Sequence, residues 1–140
     1  MTGVTSGETW KYDGKGIFSC EKSTRHQGNS FKWNGVWVES VGEGYDRPLF
    51  FHVNWDEKNF KYSYNTEIFN YKWDGSSFTY KNSTWKWNGS SLTTSEANAK
   101  ESNSDSEWKV TGSIPPVLVL LAAVLVPAKC RTFTENYFSN

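Results

Sequence analysis

Tyr71-Lys72-Trp73-Asp74-Gly75-Ser76-Ser77-Phe78 places two rings two residues apart, a lysine between them, and Asp-Gly directly after. A period of two sends both rings to one face of a strand and the lysine to the other. Asp-Gly and Asn-Gly are strong hairpin signals, because a type I′ turn needs positive φ at both central residues. The aromatic-Lys-aromatic pattern recurs at Trp10-Lys11-Tyr12, Phe31-Lys32-Trp33, Phe60-Lys61-Tyr62 and Trp85-Lys86-Trp87. In every copy but the one at Phe60 a turn pair follows: Asp13-Gly14, Asn34-Gly35, Asn88-Gly89. With that pair as the turn, the first ring of each copy faces the residue three beyond the glycine. This predicts the cross-strand pairs Trp10–Ile17, Phe31–Val38, Tyr71–Phe78 and Trp85–Leu92, in which all four partners are apolar. The rings do not recur at spacings of three and four, so a helix is a poor alternative.

The four complete copies fall into two pairs, over 10–38 and 71–92, which suggests an internal duplication. Between them, Pro48-Leu49-Phe50-Phe51-His52-Val53-Asn54-Trp55 and the stretch 59–64 read as further strands. The expected fold is mainly β: a small antiparallel sandwich or barrel of roughly eight to ten short strands, with a C-terminal apolar helix or strand. The copies are too irregularly spaced for a solenoid or propeller. The expected organisation is a β domain over 1–92, a polar linker over 93–107, a last short strand at 108–113, an apolar segment at 114–128 and a tail at 129–140. The linker reading rests on the absence of any large apolar residue from 93 to 107.

Composition agrees with this division. The chain has 140 residues, with nine Phe, seven Tyr and eight Trp, and 15 basic side chains balance 15 acidic ones. Residues 1–113 contain only ten Ile, Leu or Val, so their core must be built from rings. Zero net charge argues against a dedicated nucleic-acid binder. The N-terminus lacks the basic and apolar regions of a signal peptide. Cys20 and Cys130 match no metal or redox spacing and read as two free buried thiols.

The segment from Ile114 to Ala128 has no polar side chain over 15 residues, and prolines bound it. A membrane-spanning helix needs about 20 residues. Burial against protein is therefore expected, either within the subunit or at a contact between subunits, with a short membrane anchor as the alternative. Val117, Leu118, Leu120, Leu121 and Leu125 are the expected interaction residues.

No catalytic residue, metal site or cofactor is expected. His52, near Asp46, Asp56 and Glu57, is the minimal acid–base grouping, but no nucleophile motif accompanies it and a strand position explains it. Glu39 with Glu43, or Asp56 with Glu57, would be a glycosidase pair only on a scaffold that fixed their separation. Most rings must be core. Trp37 is the exception, because the alternation puts it on the face opposite Phe31, Trp33 and Val38. Trp37 and Trp55 are the candidate ligand platforms, suited to stacking on a sugar.

Tyr71-Lys72-Trp73-Asp74-Gly75-Ser76-Ser77-Phe78 and Trp85-Lys86-Trp87-Asn88-Gly89-Ser90-Ser91 resemble the short aromatic-Asn-Gly-Ser hairpins of phage tail and other virion structural proteins. The resemblance implies a structural or adhesive particle component. The expected function is a non-enzymatic structural or interaction subunit of a larger, homo- or hetero-oligomeric assembly. A carbohydrate-binding or adhesive module is the first alternative, and a membrane-anchored accessory subunit the second.

Overall fold

A computed structural model describes residues 1–24, 26–41, 51–64 and 67–125. The strands are β1 (Thr2–Gly3), β2 (Thr9–Tyr12), β3 (Ile17–Lys22), β4 (Ser30–Trp33), β5 (Trp37–Val41), β6 (Phe51–Trp55) and β7 (Asn59–Tyr64). They continue as β8 (Glu67–Trp73), β9 (Ser77–Tyr80), β10 (Ser83–Trp87), β11 (Ser91–Thr93) and β12 (Glu107–Lys109). Helix α1 (Glu96–Glu101) precedes β12, and helix α2 (Pro116–Val124) follows it. Each strand pairs antiparallel with the next, and β1 pairs with both β2 and β12, closing a twelve-stranded barrel.

Five hairpin turns lie at one end of this barrel, and their chemistry differs from the expected type I′. The Asn34 N–H donates to the Trp37 carbonyl at 3.3 Å, while Asn34 Oδ1 accepts the N–H groups of Val36 and Trp37 at 2.9 and 2.7 Å. The loop residues are therefore Gly35 and Val36, with φ of 95° at the glycine, as a type II′ turn requires at its first central position. Asp74 with Ser77, and Asn88 with Ser91, repeat the arrangement. Pairing moves by two residues as a result. Trp33, Trp73 and Trp87, not the first rings, face Val38, Phe78 and Leu92. In the first hairpin, Asp13 and Ile17 flank a loop of Gly14, Lys15 and Gly16, so Tyr12 faces Phe18 and Trp10 faces Cys20 instead of Ile17. A slip of two preserves the parity of a strand, so in the three later hairpins the residues expected to point inward still do. In the first hairpin the slip is three, which turns Ile17 outward opposite Lys32 and buries Phe18 in its place.

The fifth turn has no glycine. Asp56 Oδ1 accepts from the N–H groups of Lys58 and Asn59 at 2.9 and 2.6 Å, and Glu57 takes the positive φ, 71°. Phe60-Lys61-Tyr62 lies on the returning strand β7, and its partner is Val53-Asn54-Trp55. Neighbouring hairpins are joined by one repeated bond. The N–H groups of Trp33, Trp55, Trp73 and Trp87 donate to the carbonyls of Gly16, Val36, Lys58 and Ser76, at 2.7–2.8 Å.

Inward side chains form two levels. Trp10, Phe31, Val53, Tyr71, Trp85 and Trp108 are deep and buried, whereas Tyr12, Trp33, Trp55, Trp73 and Trp87 are half-buried toward the turn end. The apolar segment fills the space these rings leave. All seven residues from Val117 to Ala123 are at most 3% exposed, as is Leu125. Seven consecutive buried positions run almost twice around a helix, so α2 has no solvent face and is enclosed on all sides. It shares one core with the inward faces of the barrel strands. Pro116 opens α2 where an intrahelical N–H would have no partner.

Of the two burials expected for Val117, Leu118, Leu120, Leu121 and Leu125, within the subunit or at a contact between subunits, the structure shows the first. Leaving each in water would forgo about 1.5–3 kcal/mol, and the barrel of the same chain already covers them. No described helix is long and apolar enough to cross a membrane. The 93–107 stretch is likewise more than a linker. Ser95 caps α1, its Oγ accepting the Asn98 N–H at 3.2 Å. Ala99 is buried, and Asp105 accepts from the Ser6 N–H and hydroxyl. Pro48, Leu49 and Phe50 of the expected central strand, Glu43, Asp46, and the tail with Cys130 lie outside the described residues.

Candidate functional site

The outer wall of β2–β5 carries the one large ring that points clear of the core among the described aromatic residues, Trp37 at 40% exposure. It sits on a groove of ≈ 360 Å³ between the first two hairpin turns. Each wall of the groove is held by a turn. On one side, Asp13 Oδ1 accepts from the N–H groups of Lys15, Gly16 and Ile17 at 2.7, 2.8 and 2.9 Å. These bonds hold its carboxyl below the usual carboxylate range. On the other, Asn34 Oδ1 fixes Val36 and Trp37. The Trp33 N–H to Gly16 carbonyl bond, 2.7 Å, ties the two walls together.

Between the walls lie charged and hydrogen-bonding groups. Lys32 faces Glu39 across β4 and β5 and Ile17 across β3. Lys15 stands in the first turn, and Trp33, whose ring turns to the core, borders the groove beside Lys32. An exposed indole beside a lysine, a carboxylate and an amide can cover the apolar face of a sugar and bond its hydroxyls.

Trp37 is outward, as parity requires, and lies opposite Asn54 of β6. Trp55 does not join it. That ring is half-buried, turned inward, and meets Phe78 edge-on at 6.0 Å between centroids. Lys15, Asn34 and Ile17 were missed by sequence reasoning. Asn34 shares the turn of Trp37 itself, whereas Lys15 and Ile17 belong to the neighbouring hairpin, and their approach to Trp37 depends on the stagger between hairpins. The spacing of Asp13-Gly14 and Asn34-Gly35 carried the only hint.

Other candidates have structural duties. Asp56 caps its own turn, and Glu57 is the loop residue beside it, so the two do not face each other across a cleft. His26 is fully buried, 5.7 Å from the Trp10 ring between centroids. His52 lies in β6 opposite Ser63, and its side chain is outside the described residues. Among the described residues, no three His, Cys, Asp or Glu side chains gather in a way that could hold a metal ion. No protein-family model, curated protein or solved structure matches the chain.

Proposed function

We propose that this protein is a non-enzymatic interaction module, a component that holds other molecules within a larger assembly, and that its working surface is the Trp37 groove. The ligand class that fits is a neutral sugar ring. The observation that carries the reading is the exposure of Trp37 beside Lys32, Glu39 and Asn34, in a barrel that turns its other described tryptophans inward. Burial of α2 inside its own barrel also bears on the choice. It removes the greasy segment as the driver of assembly, so contact with partners falls to the outer surface.

Retention of the full chain on immobilised neutral polysaccharides tests this. Trp37→Ala is expected to abolish retention while the near-ultraviolet circular dichroism of the buried tryptophans stays unchanged. Unaltered retention in Trp37→Ala, or no retention by the parent chain on any neutral resin, would reject the reading.

A further inference from the structure

The lysines of the repeated hairpins are not scattered. Lys61, Lys72, Lys86 and Lys109 all lie exposed on the outer wall. Their cross-strand neighbours follow one rule. Lys61 is flanked by Asn54 and Asn70, Lys72 by Asn59 and Thr79, Lys86 by Ser77 and Thr93, and Lys109 by Ser91 and Thr2. All eight neighbours are neutral and can hydrogen-bond. Directly opposed charges are the usual way to stabilise such pairs, and 15 carboxylates were available in the chain. Lys32, on the other arc of the barrel, does face one, Glu39.

The register also sets the spacing. Thr79 faces both Lys72 and Thr84, and Thr84 stands two residues before Lys86. Thr93 faces both Lys86 and Glu107, two residues before Lys109. These two steps each cross two strands and advance two residues, which separates the lysines by roughly 12 Å at the root. Lys61 and Lys72, on adjacent strands and two residues out of register, stand roughly 8 Å apart. The stagger follows the tilt of the strands, so the lysines run as a level belt around half of the barrel. Acidic groups also stand near the belt. Asp56, Glu57 and Asp74 are exposed in the turns, the charge of Asp56 reaching Lys61, while Glu107 is the outward carboxylate on the strand rows.

We propose that the outer face of β6–β12 is a docking surface for an anionic polysaccharide, a chain bearing sulfate or carboxylate groups at intervals. Charge complementarity along a line selects a polymer over a small anion. Hydroxyl and amide neighbours on both sides of every lysine suit a ligand that is itself rich in hydroxyls. The wall is convex, so a flat lipid surface would meet only part of the belt at once. Its described rings point inward, so among the described residues nucleic-acid bases find no aromatic platform on it. The surface adjoins the Trp37 groove at Asn54, which lies opposite both Trp37 and Lys61, and runs away from it toward β12.

The test uses the full chain and heparin as the probe. Binding is expected to weaken with salt, as for any contact made by exposed charges. The double substitution Lys72→Gln with Lys86→Gln is expected to weaken it by about tenfold, while Lys15→Gln with Lys32→Gln, the same loss of charge on the other arc, changes it by less than about twofold. Trp37→Ala leaves heparin binding intact, which keeps this surface distinguishable from the groove. Equal losses in the two double variants would overturn the proposal, as would absence of heparin binding. Tighter binding to duplex DNA, or to phosphatidylcholine vesicles containing phosphatidylserine, with the same dependence on Lys72 and Lys86, would overturn the polysaccharide class.

Discussion

The indole N–H of Trp10 donates to Glu8 Oε2 at 2.8 Å, and both residues are almost completely removed from solvent. Trp85 is equally buried at the same level of the barrel, yet its indole N–H has no hydrogen-bond partner among the described residues. The two tryptophans therefore answer differently to the same substitution. Trp10→Phe removes a bond to a buried carboxylate and is expected to cost about 1.5–3 kcal/mol more than Trp85→Phe. Urea unfolding followed by far-ultraviolet circular dichroism compares them, since the volume lost is the same in both.

Glu57 pays for a conformation that glycine adopts freely in the sister turns. Its φ is 71°, where Gly35, Gly75 and Gly89 take 95–101°. Glu57→Gly is expected to stabilise the barrel by about 0.5–1 kcal/mol, because relief of left-handed strain outweighs the added freedom of the unfolded chain. The unfolding midpoint should rise with an unchanged dependence on denaturant.

Three of the turns are acid-sensitive and two are not. Backbone N–H groups lower the pKa of Asp13, Asp56 and Asp74, while Asn34 and Asn88 do the same work without a charge. A depressed folded-state pKa gives stability that is present above the ordinary carboxylate value and is lost as pH falls through the lowered one. Below about pH 4 the parent chain should lose stability progressively. A variant with Asp13, Asp56 and Asp74 all replaced by Asn should show a flatter acid limb in denaturant midpoints measured from pH 6 down to pH 2.

Deleting residues 114–140 is expected to collapse the barrel instead of releasing a folded β domain. Leu118, Leu120, Leu121 and Leu125 are at most 1% exposed, and their removal leaves a ring-lined lumen with nothing inside. Leu120→Ala alone should cost about 2–5 kcal/mol. A truncated chain with native near-ultraviolet circular dichroism and cooperative unfolding would contradict the enclosed placement of α2.

Which face a strand buries was legible in the sequence wherever the pairing slipped by two, as beside Phe31, Tyr71 and Trp85, but not in β3, where a slip of three put Phe18 inside in place of Ile17. The pairing itself was not legible. An Asx side chain that takes over a backbone acceptor moves the loop one residue along, and the dipeptide reads the same either way. The hairpin at Asp56 escaped notice because Glu57 stands where the pattern has glycine. The container for the apolar segment was hidden by a count. Eight strands close around their own side chains, whereas twelve leave a wider lumen that rings alone do not fill. In the groove, Trp37 was found by alternation, but Lys15 and Ile17 reach it only through the stagger of adjacent hairpins.

Strand β1 holds the barrel shut with two residues. Thr2 and Gly3 pair with Lys109 and Trp108, and only Thr2 pairs with β2. The partners are more than a hundred positions apart along the chain, so this junction carries the largest loop-closure cost and is expected to form late in folding. It is also among the shortest pairings of the wall, with two registered residue pairs to β12. In hydrogen–deuterium exchange, the amides of β1 and β12 should exchange well ahead of those in β7 and β8, through brief openings of that edge. Such an opening would give water its shortest way to α2, so the lifetime of the helix amides against exchange would report how often the junction parts.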